Sequence, residues 1–482
     1  MDDLIAQADF VIVGAGPAGS AAAWRLVNSG RRVVMIDAGD YLGTDAPAAP
    51  SIPTDANVSP KLRDPRFAPN FARTRAGLAP VLKNFSLWGM EAVGGLSNAW
   101  GGGIAEFNAR ELGDATLADE MRQSYRYLSD RIRITGSAGD ALGAFWGRNT
   151  CVHEAPVLHK PLLHLLKSKS TPQFYVGRAR SASDDGVHPY NAATTIALLE
   201  ASPHFTLKEN ARIDSISVTG RGYRLHMISG GEAHNVEIAR GKLLLATGTI
   251  MTTKLVLGAL NAVDTRLPLK SNPSSAFALL FPEFLFGPAQ RNHPPAGEVS
   301  FVMQPGTRDY AIANLFTPTI VSPLDIISRI PASPGTARQI LKLIYPGLVL
   351  GNLFLSGAHS RHIMMLGRDQ KLRIAGVAGT QAKEAQKAAE KAIRRFVLGR
   401  RGLVLPGSFP ATPLGSDIHY AATLPMRRVP GPLQSNFMGE ITGLPGMHVI
   451  DGATLPSLPA RAHTFTIMAN ADRIAKNLLN NI

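Results

Sequence analysis

Strand-length apolar runs and a helical period alternate at the start of the chain. In DFVIVGAGPAGSAAAWRLVNSGRRVVMIDAG, residues 9–39, Phe10–Val13 reads as a buried strand and 17–28 as a helix with Ala21, Ala22, Leu26 and Val27 facing inward. Gly30 ends that helix, and Val33–Ile36 reads as a second strand. Later apolar runs at 205–216, 223–228, 243–245 and 447–450 predict further strands. Those at Val299–Met303, 310–316, Leu348–Leu355, His362–Leu366 and 372–377 predict a second group. Leu348–Leu355 is almost continuously apolar, as a strand buried on both faces would be. Ile467, Met468, Ala471, Ile474, Ala475 and Leu478 recur with helical spacing at the C-terminal end.

The turn between the first strand and helix carries Gly14, Gly16 and Gly19 in the G-x-G-x-x-G spacing. The first glycine permits a tight turn, the second lets backbone approach a pyrophosphate, and the third allows close helix–strand packing. The helix N-terminus then presents free N–H groups to phosphate. Asp37 closes the second strand, where it can accept from an adenosine ribose. Strand, helix, second strand and acid in register predict dinucleotide binding. LLLATGT at 243–249, with Ala246 and Gly248, and MHVIDGA at 447–453, with Asp451 and Gly452, read as two returns to the same sheet. Such returns are typical of two-dinucleotide-binding-domain flavoproteins and favour FAD over NAD.

Composition narrows the class. With 482 residues and 45% apolar content, the chain can bury a large core in more than one domain. Its single cysteine, Cys151, excludes an internal disulfide framework and a multi-cysteine metal site; no metal site is expected. The N-terminus lacks the basic and apolar regions of a secretory signal, and no apolar window is long enough to span a membrane. A cytoplasmic protein is the expectation. The net charge of +14 favours acidic partners, an anionic membrane surface or substrate among them. No nucleic-acid-binding motif accompanies it. The sharpest excess lies at 379–401, where Lys383, Lys387, Lys391, Arg394, Arg395, Arg400 and Arg401 face only Glu384 and Glu390. The alanines, Ile393, Phe396 and Val397 between them form an apolar stripe, which puts the cations largely on the solvent face of a helix.

Several ordered landmarks resemble the glucose–methanol–choline (GMC) oxidoreductases. They are the N-terminal fingerprint, GGLSNAWGGG at 94–103, the ATG strand end, SDIHYAATLPM at 416–426 and HVIDGATLPSLPARAHTFTIMANA at 448–471. The resemblance implies α/β architecture (α+β overall): a Rossmann-like FAD-binding domain and a substrate-binding domain built on a mostly antiparallel sheet. It also implies that His419, in H-Y-A-A-T-L-P-M, and His463, in H-T-F-T, are the catalytic pair. Gly95, Ser97, Asn98 and Trp100 of the flavin loop, Ile213, Asp451, Gly452, Thr464 and Thr466 are then assigned to cofactor binding. Two departures stand out. Ala422 occupies a position where the family commonly has Gly, and the loop is closer to the pyranose-oxidase form, with Ala99 where a covalently flavinylated histidine would stand. FAD held without a covalent bond is therefore expected.

The chemistry implied is oxidation of a CH–OH group of an alcohol or sugar. A neutral imidazole takes the hydroxyl proton, and flavin N5 takes the hydride. A helix beginning near Thr464 would favour the negative charge of reduced flavin near N1/C2=O. The resemblance divides the chain into a discontinuous FAD-binding domain (1–45, 80–115, 190–270 and 440–482) and a substrate-binding domain (116–189 and 271–439). Residues 46–79 form a surface excursion or lid. A non-oxidative lyase or isomerase on the same fold, a flavin monooxygenase, and a flavin-binding subunit without turnover remain as alternatives.

Overall fold

The computed structural model describes residues 2–42, 67–68, 80–137, 139–148, 153–154, 158–167, 169–171, 173–184, 188–287, 298–304, 309–320 and 323–480. Two six-stranded sheets organise the chain. The first runs in the order Phe205–Lys208, Val33–Ile36, Phe10–Val13, Leu243–Leu245, Leu444–Val449 and Glu440–Ile441. All its neighbours pair in parallel except the last. Parallel strands are covered on both faces, which is why Phe10–Val13 and Val33–Ile36 are buried at every position. One face carries the helices Pro17–Val27, Ala115–Arg131 and Thr464–Asn480. The C-terminal helix lies along Pro17–Val27, where Arg25 Nε donates to the buried Asp472 at 2.7 Å. The other face carries the helix Thr249–Ala259 and an antiparallel meander, Ala211–Val218, Gly222–Ser229 and Glu232–Ala239.

The second sheet is antiparallel throughout, in the order Leu403–Val404, Ser274–Leu280, Leu348–Leu355, Ala311–Phe316, Val299–Met303 and Phe174–Arg178. The basic helix, Ala382–Leu398, packs on one face of it through Ile393, Phe396 and Val397. The other face looks toward the candidate site. This α/β architecture is the one expected from the sequence.

Four local readings change. The run 205–216 is two strands, because Asn210 takes a left-handed conformation (φ 51°) that breaks it between sheets. The third meander strand, Glu232–Ala239, has too few apolar positions to announce itself, with only Val236 and Ile238 buried. Leu348–Leu355 is not buried on both faces: Leu350, Asn352 and Phe354 are half-exposed, and Phe354 lies beside His419. His362–Leu366 and Leu372–Ala375 do not extend the large antiparallel sheet. They form a separate sheet with Leu267–Leu269 and Val81–Lys83 around Phe85, Leu269, Met364 and Ile374. The lid expected over 46–79 lies outside the described residues apart from Phe67–Ala68, which pairs with Gly89–Met90.

Candidate active site

The fingerprint turn is built as its glycines require. Gly14 has φ 107°, and a Cβ there would lie 2.3 Å from the Ala246 carbonyl oxygen; one on Gly19 would lie 2.0 Å from the Gly14 carbonyl oxygen. Both are therefore packing glycines. A Cβ on Gly16 would meet nothing within 4 Å, so this position opens onto free space at the helix N-terminus. That is the geometry a pyrophosphate needs. Asp37 accepts from the N–H groups of Ala15 (2.7 Å) and Gly39 (2.9 Å), and burial lifts its pKa to about 6. Each carboxylate oxygen still has a lone pair for a hydroxyl.

The loop at 94–100 folds onto this turn. Gly94 N–H donates to the Ala15 carbonyl at 3.0 Å, and a Cβ on Gly95 would lie 3.4 Å from the Gly16 Cα. The polar side chains hold the loop itself. Ser97 Oγ donates to the Gly94 carbonyl (2.6 Å), and Asn98 Nδ2 to the carbonyls of Val93 and Gly95 (both 2.9 Å). Trp100 Nε1 donates to the Tyr190 carbonyl (2.6 Å). Gly95 backbone, rather than these engaged side chains, borders the opening. Ile213 turns its side chain into the core beneath the meander.

The two later returns meet at Asp451. Its carboxylate accepts from Thr252 Oγ1 (2.5 Å) and Ala453 N–H (2.9 Å), and it also bonds the Gly248 backbone. Burial lifts its pKa to about 6. The segment after Gly452 runs beside 422–426, with Ala422 N–H donating to the Gly452 carbonyl at 3.0 Å. Ala422 sits at φ 62° and Ile418 at φ 65°, both in the left-handed region that side chains disfavour. The segment carrying His419 is thus held in backbone strain by its pairing with Lys270 and Gly452.

His419 and His463 come together, their ring centroids 4.9 Å apart and inclined by 66°. Phe354 lies 5.0 Å from His419, on the site-facing side of the antiparallel sheet. His419 Nδ1 donates to Asn272 Oδ1 at 2.9 Å. The amide of Asn272 cannot be turned round, since its Nδ2 donates to the carbonyls of Leu355 (2.7 Å) and Pro459 (3.1 Å). His419 is thereby fixed as the tautomer with a bare Nε2. Burial lowers its pKa to about 4 and keeps it neutral. Asp417 completes the support, accepting from the N–H groups of Asn272 (2.7 Å) and His419 (3.3 Å), with its own pKa raised by burial to about 7.

His463 caps the C-terminal helix: its carbonyl accepts from Ile467 N–H at 2.9 Å, and Thr464 is the first helical residue. Burial, and then the neighbouring His419, hold its pKa well below the ordinary value. The ring bonds the Tyr420 backbone, while Nδ1 is buried with no protein partner. A buried nitrogen left so costs about 1–3 kcal/mol, and a bound hydroxyl donating to it would relieve it. Thr466 is occupied elsewhere, its Oγ1 2.8 Å from the Tyr125 hydroxyl and 3.2 Å from the Ala105 carbonyl. Arg461 fixes the approach to His463: its guanidinium is buried, Nε donating to Glu111 (3.0 Å) and Tyr310 (2.8 Å) and Nη1 to the Glu106 carbonyl (2.8 Å). Asn272, Phe354, Asp417 and Arg461 were not anticipated from the sequence. Among the described residues no group of His, Cys, Asp or Glu could hold a metal ion.

Comparison with known proteins agrees with this architecture. An NAD(P)-binding Rossmann-like domain matches residues 12–56. A stretch of 37 residues is 51% identical to a thiamine thiazole synthase of Aeropyrum pernix; it covers 8% of this chain and 14% of the synthase. Over 98% of its length the chain superposes on pyridoxine 4-oxidase from Mesorbium loti, covering 99% of that chain with a TM-score of 0.66 at 16% identity. The likeness to this oxidase extends over the fold of the whole chain.

Proposed function

We propose that the protein is an FAD-dependent oxidoreductase that oxidises a CH–OH group of an alcohol or sugar to a carbonyl. The observation that carries this reading is the His419–His463 pair at the mouth of the C-terminal helix, beside a dinucleotide-binding turn. Gly14, Gly16, Gly19 and Asp37 would hold the adenosine and pyrophosphate. Backbone at Gly95, Ala246, Gly248 and Gly452 and the helix N-terminus at Thr464 would border the rest. FAD bound there supplies a hydride acceptor.

The protein's own part is proton transfer and positioning. A substrate hydroxyl donates its hydrogen bond to Nε2 of His419, which is bare because Asn272 takes the proton side of the ring. The imidazole accepts the hydroxyl proton as the carbinol carbon is oxidised. His463 Nδ1, bare because the ring's other nitrogen is engaged by the Tyr420 backbone, is a second acceptor that can take the hydrogen bond of a neighbouring substrate hydroxyl. Phe354 forms one wall beside His419. An anionic substrate fits the net charge of +14, and a cytoplasmic location is part of the same reading.

Anaerobic mixing of the FAD-loaded protein with a panel of alcohols, sugars and pyridoxine tests the reading, with NADPH as a parallel arm. Bleaching by a member of the panel is the expected result. Bleaching by NADPH alone would assign the protein to the monooxygenase class. Conversion of a substrate without bleaching would make it a lyase or isomerase.

A further inference from the structure

Away from the site, one end of the antiparallel sheet leaves apolar side chains uncovered. Phe286 is 82% exposed and Leu398 65%, and Leu324, Leu343 and Leu403 are also exposed. The chain brings them to the same end. Leu403 pairs with Leu280, which pairs with Leu348. Leu398 ends the basic helix five residues before Leu403, and Phe286 follows Leu280 by six. Leu343 lies in the helix Pro334–Ile344, just before the turn at Tyr345–Gly347 that packs against Pro282–Phe284.

The helices here are amphipathic without being fully covered. Pro334–Ile344 buries only Ala337 and Leu341, while Ile326, Ile327, Ile330, Ile340 and Ile344 remain half-exposed. Exposed cations stand on the segments that meet at this end: Arg329, Arg338 and Lys342 beside the isoleucines, and Arg395 and Arg401 beside Leu398 and Leu403. Residues 391–403 contain five cations and no acid.

We infer that this end of the sheet is a docking surface for an anionic lipid bilayer. Apolar side chains ringed by Lys and Arg match the interface of such a membrane, in which the side chains enter the headgroup boundary and the cations meet lipid phosphates. Charge decides against a second copy of the chain, since self-contact would press the same cationic rim against itself. No helix among the described residues is long and apolar enough to cross a membrane, so the contact is peripheral. The site lies at the other end of the same strands, where Asn272 reaches the Leu355 carbonyl. Seven steps along the strand separate Leu348 from Leu355, about 24 Å at about 3.4 Å per residue. Docking therefore leaves turnover of a soluble substrate unchanged, and the binding test is independent of the catalytic reading.

The test is flotation of the FAD-loaded full chain with vesicles of phosphatidylcholine alone or with about one-third phosphatidylglycerol. Binding to the anionic vesicles only, lost at about 0.5 M salt, is expected. Lys342→Glu with Arg401→Glu should weaken it by about tenfold or more. Leu343→Glu with Leu398→Glu should abolish it, while Val218→Glu, at an exposed position on the meander, should not. Unchanged melting temperatures would show that the variants fold. No binding to anionic vesicles, equal loss in Val218→Glu, or a wild-type dimer dispersed by Leu343→Glu overturns the inference.

Discussion

The side-chain oxygen of Asn272 takes the Nδ1 proton of His419 at 2.9 Å, and the same amide ties down the carbonyl of Pro459. One residue thus sets the tautomer of the first histidine and anchors the segment leading to the second. Its effect on the reaction is separable from that of the histidines.

His419→Ala should leave FAD bound and slow flavin reduction by about 10²–10⁴-fold, the usual contribution of a general base. His463→Asn should be milder, because an amide oxygen can still accept a substrate hydroxyl's hydrogen bond although it cannot take its proton. His448 is the control, a buried histidine whose Nδ1 is already engaged by the Met438 carbonyl at 2.9 Å. Rapid mixing under anaerobic conditions reports the step directly. If His448→Ala slowed bleaching as much as His419→Ala at equal FAD content, the assignment would fail.

The role of Asn272 predicts a pH signature. His419 is neutral above its pKa of about 4, so the limb of flavin reduction that belongs to it should rise through about pH 4, separate from any inflection near pH 7 where the supporting Asp417 ionises. A histidine with the ordinary value near 6.5 would place that limb more than two units higher. Asn272→Ala should lower the rate by about 10–100-fold, as losses of supporting hydrogen bonds do at other histidine sites. Asn272→Asp would set a carboxylate against Nδ1–H, favour the charged ring and move the limb upward. A merely structural residue would change the rate without shifting the limb.

These residues divide by how much of their role is local. The β-α-β unit at 9–39 could be read because each step has a cause within a few residues: fully buried apolar runs, a helical period, glycines at fixed offsets. That His419 and His463 would come together could be read because short motifs surround them. Asn272 could not, since it meets His419 across 147 positions and nothing in SNPSS marks it. The inward turn of Ser97, Asn98 and Trp100 was equally hidden, because their partners at 190–192 belong to another segment. Strands such as Leu372–Ala375, with alternate positions buried, fit either sheet by pattern, and tertiary pairing chose.

Ala99 predicts how the flavin is held. It ends the short helix Gly95–Asn98, and its methyl side chain offers no nucleophile to a flavin. Acid precipitation of the yellow protein should leave the flavin in the supernatant. Colour retained in the pellet after washing would show a covalent bond and remove the basis of this expectation.

The fingerprint glycines make the sharpest contrast, because neighbouring positions should fail in different ways. A side chain on Gly19 collides with backbone, 2.0 Å from the Gly14 carbonyl oxygen, and nothing flexible is there to yield. Gly19→Ala should therefore destabilise the protein by about 1–3 kcal/mol even without cofactor, as overpacking usually does. A side chain on Gly16 enters open space in the cofactor-free protein, so Gly16→Val should leave apo melting close to wild type. It fills the place where backbone must approach the pyrophosphate, so FAD binding should fall at least about a hundredfold. Apo melting curves and FAD titration of both variants decide the matter. Full FAD affinity in folded Gly16→Val protein would show that the pyrophosphate does not lie at this turn.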